Sequence, residues 1–245
     1  MKTYIINLAS STDRKTRMDG LMKNFCFPEH EFIEAVDGRK MDEQELDRKF
    51  DRKRFRRLYT RDVRPGEIGC TLSHQKCYRK IVEENEKCAL ILEDDIVITK
   101  APDKGLMEMI DRYMDSDKPR IMLLSGGYWF TGMKNLDGTD YRLAEVYDAF
   151  MTHSYVINRA AAKVMTEEYP YVLADNWFLF RKKCGVELTG LCPHLVDQDW
   201  SGLGSVINMG YAQDERPQKS WYVRNMGRLM MRRILKASNR YENEK

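Results

Sequence analysis

The sequence predicts an α/β fold, a central and mostly parallel sheet flanked by helices. Three observations carry this reading. Apolar runs of strand length recur at 4–8, 88–92 and 120–124, too continuous for half-exposed strands and too short for helices. Longer segments of helical spacing separate them, as with Cys70, Cys77, Tyr78, Ile81 and Val82. Polar or glycine residues follow each run at once: Asn7 within the first, then Glu93-Asp94-Asp95, then Ser125-Gly126-Gly127. Open α/β sheets bind ligands beyond the carboxyl ends of their strands, where such residues would stand.

From the N-terminus, the strand at 4–8 is followed by Ser10-Ser11-Thr12-Asp13, which predicts a capping box with Ser10 as N-cap and a helix to about residue 25. Arg14, Lys15 and Arg17 lie in its first turns, where a helix N-terminus already favours anions. Residues 31–36 alternate weakly as a second strand, and Asp37-Gly38 ends it in a turn. Residues 48–64 carry nine basic residues against two acids, interleaved with Phe50, Phe55, Leu58 and Tyr59. They predict either a helix with one apolar stripe or a loop over the site, with an anionic partner or a solvated face. Pro65-Gly66 punctuates, and a helix is predicted from Cys70 to Glu84, with His74 on the face of Cys70 and Tyr78.

After the acid-tipped strand, Pro102 opens a helix over 103–115, and 120–124 is a buried strand. Residues 128–143 read as a surface excursion and 149–157 as a further strand. Asn158 caps a helix to about residue 168, Asp175 stands at or near the N-cap of another, and 186–192 is a last strand. From 224 to 240 there are six basic residues and no acid. Arg228, Arg232, Lys236 and Arg240 recur every four residues, opposite Met226, Met230 and Ile234. Such a helix suits an anionic membrane surface or packs as an ordinary terminal helix.

The chemistry centres on Glu93-Asp94-Asp95. Three carboxylates at one strand end repel each other unless a cation neutralises them, and oxygen ligands suit Mn²⁺ or Mg²⁺. A polar turn is the bland alternative. Composition narrows the classes. The 245 residues are 42% hydrophobic, enough for a sizeable core, and the net charge of +3 argues against a nucleic-acid-coating surface. The six cysteines form no CxxC pair and fit free thiols in a reducing compartment. No run is long enough for a membrane span, so a cytoplasmic protein is expected.

Several of these stretches together carry a likeness. Ile6-Asn7-Leu8 with Asp13-Arg14 and Arg17, Ala35-Val36-Asp37-Gly38, Gly66-Glu67-Ile68-Gly69-Cys70 with Leu72-Ser73-His74, and Leu90-Ile91-Leu92-Glu93-Asp94-Asp95 resemble glycosyltransferase family 25. Thr152-His153-Ser154-Tyr155-Val156-Ile157 and Asp175-Asn176-Trp177 continue the resemblance, which runs in order from about residue 3 to about residue 208. That family includes galactosyltransferases that extend bacterial lipooligosaccharide and enzymes that glycosylate collagen. The resemblance implies a nucleotide-diphosphate-sugar donor, most often UDP-galactose, and inverting transfer to a sugar hydroxyl. It implies a GT-A-like catalytic domain over 1–222, with a nucleotide-sugar half (1–125) and an acceptor half (126–222). The basic tail, 223–245, falls outside it. The acid triplet would be the family's version of an Asp-x-Asp metal motif.

Roles follow from what the reaction demands. A metal held by Asp95, with Glu93 as ligand or ribose contact and Asp94 in support, would stabilise the leaving diphosphate. His153 or His194 would add a metal or phosphate contact. Asn7, Arg14, Arg17 and Asp37 would hold the nucleotide. Asp175 is the expected general base for the acceptor hydroxyl, with Asp197 and Asp199 behind it. The expected partners are a UDP-hexose, a lipooligosaccharide acceptor and an anionic membrane touched by 224–240, without nucleic acid. Two rivals stay open: a metal-dependent hydrolase or phosphotransferase of nucleotide sugars, and a non-catalytic protein that binds RNA or phospholipid.

Overall fold

The computed structural model describes residues 1–199 and 217–243. Strands β1 (Lys2–Asn7), β2 (His30–Glu34) and β3 (Cys88–Glu93) form a parallel group with β1 in the middle. β1 and β3 are almost wholly buried, which accounts for their unbroken apolar sequence. Helix α1 (Thr12–Asn24) makes the crossover from β1 to β2 that parallel neighbours require. The expected capping box does not form: Ser11, not Ser10, precedes the helix, and it makes no side-chain cap bond. The turn is closed instead by Ser11 N–H on the Leu8 carbonyl (2.8 Å) and by the Asn7 amide on the Ser11 carbonyl (3.2 Å).

The basic segment is helical. α2 (Glu43–Lys49) and α3 (Arg52–Tyr59) bury Leu46, Phe50, Phe55 and Tyr59 against Ile68 and Leu72 in a small core of their own. Many of the cations are neutralised locally. Arg52 meets Glu43 and Asp47, Lys49 meets Glu45, and Arg56 meets Asp62. Helix α4 (Pro65–Glu83) starts five residues before the expected Cys70, because proline at the first helical position loses no hydrogen bond. Glu67 fixes that start: its carboxylate accepts from the Arg64 N–H at 2.9 Å and from Arg61 at 2.9 and 2.6 Å.

After β3 come the short β4 (Ile96–Ile98), α5 (Lys104–Met114), which Asp103 caps, and β5 (Arg120–Leu123). Residues 128–143 are not an excursion. They form most of a hairpin of β6 (Tyr128–Asn135) and β7 (Arg142–Ala149), and the aromatics Tyr128, Trp129 and Phe130 are buried on it. The expected strand over 149–157 is two strands. β7 ends at Ala149, Met151 turns the chain at φ 73°, and β8 (Ser154–Asn158) follows.

Asn158 caps α6 (Arg159–Met165) as expected, its side chain accepting from the Ala161 N–H at 2.9 Å. α6 is shorter than predicted, ending before residue 168. α7 (Trp177–Cys184) is capped by Asn176, one residue after Asp175. β9 (Glu187–Cys192), β10 (Val196–Gln198), α8 (Lys219–Ala237) and β11 (Tyr241–Glu242) complete the described chain.

The main sheet has nine strands in the order β11-β6-β7-β9-β5-β8-β3-β1-β2. It is mixed: β2-β1-β3 and β5-β9 are parallel, and β8 runs antiparallel between β3 and β5. β10 pairs with β4 in a separate ribbon beside the acid triplet.

Candidate active site

The carboxyl ends of β1, β2 and β3 open into a cleft, the place where open α/β sheets bind ligands. Its lining includes Arg14, Asp37, Arg39, Cys70, His74, Glu93, Asp94, Asp95 and Gln198. Two glycines shape one wall. A Cβ on Gly38 would fall 1.9 Å from the Pro65 carbonyl oxygen, and one on Gly69 would fall 2.4 Å from that of Val36. Only glycines let the start of α4 lie this close to the chain leaving β2. Ser73, one helical turn on, locks the contact. Its hydroxyl accepts from the Val36 N–H (2.8 Å) and donates to the Gly69 carbonyl (2.7 Å).

The three acids take different tasks. Glu93 ends β3 and is held from behind. Its Oε1 accepts from the Thr152 hydroxyl at 2.5 Å and meets His74 Nε2 at 3.3 Å. His74 Nδ1 bonds the Tyr155 hydroxyl at 2.7 Å, which reaches that of Tyr78 at 3.0 Å. Burial opposes ionisation of Glu93, but the contacts with His74 and Thr152 outweigh it and hold its carboxyl below the ordinary value. Asp94 is a brace: its oxygens accept from Asn7 Nδ2 at 2.7 Å and from Arg14 Nη1 at 2.8 Å.

Asp95 differs from both. Its Oδ2 accepts from Gln198 at 2.9 Å, while Oδ1 is buried with no hydrogen-bond partner among the described residues. Burial first, then the charges of Glu93 and Asp94, push its carboxyl up to about 6. A desolvated carboxylate oxygen that lacks a donor and stands beside two more acids fits a hard divalent cation. Cys70, His74 and Glu93 also place one ligand atom each within 4.8 Å of one another. There, both imidazole nitrogens of His74 are hydrogen-bonded, and burial with the charges of Glu93 and Asp175 pushes the Cys70 thiol up, away from the thiolate a metal needs. Asp95, by contrast, presents an oxygen without a donor among the described residues.

The profile of glycosyltransferase family 25 (LPS biosynthesis protein) matches residues 1–176. The chain belongs to glycosyltransferase family 25. Among curated relatives, a glycosyltransferase 25 family member of Anopheles gambiae is 30% identical over 186 residues, covering 68% of this chain and 28% of the relative. One of Aedes aegypti is 29% identical over 180 residues, with the same coverages. Human procollagen galactosyltransferase 2 is 30% identical over 176 residues, covering 69% of this chain and 28% of that protein. The chain therefore spans under a third of the length of these relatives. The mixed sheet flanked by helices is consistent with the GT-A-like fold expected of the family.

Within that family frame, the predicted site residues separate into groups. Arg14, Asp37, Glu93, Asp94 and Asp95 line the cleft. Asn7 stands just behind it, holding Asp94. Arg39 clamps Asp37 through two bonds of 2.8 and 2.9 Å and holds its carboxyl low. Arg17 turns to the ribbon, donating to the Ile96 carbonyl and standing 3.4 Å from Asp199. His153 is buried behind Glu93, with Nε2 unbonded among the described residues, and burial lowers its pKa. His194 lies apart, with Nδ1 on Glu242 at 2.8 Å and Nε2 on Asp197 at 3.1 Å. Asp175 is partly buried in the turn before α7. Burial, then the charges of Glu67 and Glu93, raise its pKa. Trp200 and the family-like stretch beyond it to about residue 208 lie outside the described residues.

From the sequence, Arg39, Gln198, Thr152 and Tyr155 received no role in the site. Arg39 and Gln198 each adjoin a short motif that was read. Tyr155 and Thr152 flank His153, and only the antiparallel insertion of β8 beside β3 aims them at His74 and Glu93.

Proposed function

We propose that the chain is an inverting glycosyltransferase that moves a hexose, galactose from UDP-galactose in the first instance, to a sugar hydroxyl of a lipooligosaccharide-type glycan. The unpartnered, buried Oδ1 of Asp95 in the cleft carries the reading, because a cation site is what a sugar-nucleotide diphosphate requires there. Asp95 and Glu93 would hold Mn²⁺ or Mg²⁺, whose chemistry is to stabilise the charge that develops on the departing diphosphate. Asp94, fixed by Asn7 and Arg14, keeps the triplet in register. Asp37 at the end of β2 suits a ribose hydroxyl, and Arg14 and Arg39 offer positive charge to phosphate.

Asp175 takes the proton of the attacking hydroxyl. Its raised pKa suits a base, since a carboxylate of ordinary pKa is a weak acceptor near neutrality. The likeness to human procollagen galactosyltransferase 2 supports galactosyl transfer. Six free thiols fit a reducing compartment such as the cytoplasm, and no described helix is long and apolar enough to cross a membrane.

The test is UDP release from a panel of UDP-sugars with Mn²⁺, with and without a lipooligosaccharide acceptor. Release that depends on both metal and acceptor is expected. Equal release without acceptor would indicate a nucleotide-sugar hydrolase and overturn the transferase reading. The nucleic-acid alternative loses support on α2 and α3, where Lys49, Arg52 and Arg56 already face acids.

A further inference from the structure

The C-terminal helix α8 docks in the opposite sense to its sequence pattern. Its arginine row faces inward. Asp148 of β7 is fully buried and accepts from Arg228 Nε and Nη2 at 2.6 and 2.8 Å and from Arg232 Nε at 2.6 Å. Arg228 also covers the Phe178 ring at 4.6 Å and Arg232 the Trp129 ring at 4.3 Å. Leu235 is the residue of this helix buried in the domain.

The apolar row therefore faces outward. Val223, Met226, Met230 and Ile234 are 69, 65, 62 and 49% exposed, at spacings of three and four residues that make one continuous stripe. Exposed Lys219 and Arg233 lie beside it, and no acid occurs from 217 to 240. At the start of the helix, Arg224 donates to the carbonyls of Arg57 and Leu58, which brings the exposed, basic α3 alongside.

We propose that this outward face of α8 seats on an anionic lipid surface, with Val223, Met226, Met230 and Ile234 entering the interface and the bordering cations meeting lipid headgroups. Charge selects the occupant. A second copy of the same stripe would set cationic borders against each other, whereas an anionic bilayer satisfies the stripe and its borders together. The buried clamp at Asp148 keeps Arg228 and Arg232 out of this contact, so the helix binds as a rigid part of the domain. The surface is independent of the glycosyl-transfer reading, and its test does not use activity.

The experiment is co-sedimentation of the full chain with phosphatidylcholine vesicles, with and without phosphatidylglycerol. Binding is expected only with the anionic lipid. The exposed double variant Met226→Glu/Met230→Glu is expected to weaken it about tenfold or more with an unchanged thermal midpoint. Arg233→Gln is expected to reduce binding and flatten its salt dependence. No sedimentation with anionic vesicles, or equal binding by the double variant, overturns the proposal. So does a wild-type dimer in sedimentation velocity that the double variant dissolves, because a second copy would then own the stripe.

Discussion

The Val36 carbonyl oxygen lies 2.4 Å from where a Cβ on Gly69 would stand, so the first turns of α4 rest directly on the chain leaving β2. The neighbour is backbone and cannot rotate away. Gly69→Ala is expected to cost about 1–3 kcal/mol, read by urea unfolding, and to lower nucleotide affinity, because Gly38 and Asp37 on the cleft wall must shift with it. Unchanged stability would show that the two segments separate freely.

Asp95→Asn is expected to stabilise the metal-free protein while abolishing transfer. Burial and the neighbouring acids push the Asp95 carboxyl up from the ordinary 3.8 to about 6 in the fold. Between those values the folded chain holds a proton that the unfolded chain has lost, so this group lowers stability as pH rises through that interval. Removing the charge should return about 1–3 kcal/mol at pH 7, seen as a higher thermal midpoint in chelator. A variant that keeps wild-type turnover would remove Asp95 from the metal site.

The same titration sets a pH dependence for metal binding. Below about pH 6 a cation must displace the Asp95 proton. Mn²⁺ affinity by calorimetry is expected to fall steeply there, with proton release in the binding heat, and to level off above it. Affinity independent of pH from 5 to 7 would place the ion elsewhere.

Asp175→Asn is expected to keep UDP-sugar affinity and lose transfer by about 100-fold or more, the usual weight of a general base. Loss of donor binding in equal measure would make Asp175 a structural or donor-side residue.

Asp148→Asn leaves Arg228 and Arg232 against a neutral partner. Breaking a buried pair from one side costs about 3–5 kcal/mol. Here the loss should appear as faster hydrogen exchange and proteolysis confined to α8. Global unfolding without local release would mean that the helix and sheet open as one unit.

β1 and β3 were legible because they are parallel and buried, and such strands announce themselves as short apolar runs. The acid triplet was legible for the same reason: carboxylates cannot remain inside a strand, so they mark its end. The hairpin β6/β7 was not legible, because Tyr128, Trp129 and Phe130 stand next to glycines and a polar turn, and composition there resembles a loop. The orientation of α8 was left open for a different cause. Amphipathic periodicity shows that a helix has two faces but not which one docks, and a single buried acid, Asp148, decides it. Within the cleft, the division of labour among Glu93, Asp94 and Asp95 depends on partners 80 or more residues distant for Asp94 and 103 for Asp95, and spacing carries no trace of them.

Tyr59, the last residue of α3, accepts from the Asn176 amide at 2.7 Å and from the Leu173 N–H at 3.2 Å, on either side of Asp175. One phenol thus joins the basic α2–α3 insert to the loop that bears the expected base. Exchanging 42–64 would therefore also disturb the turn on which Asp175 stands, far from it in sequence but held through a single side chain.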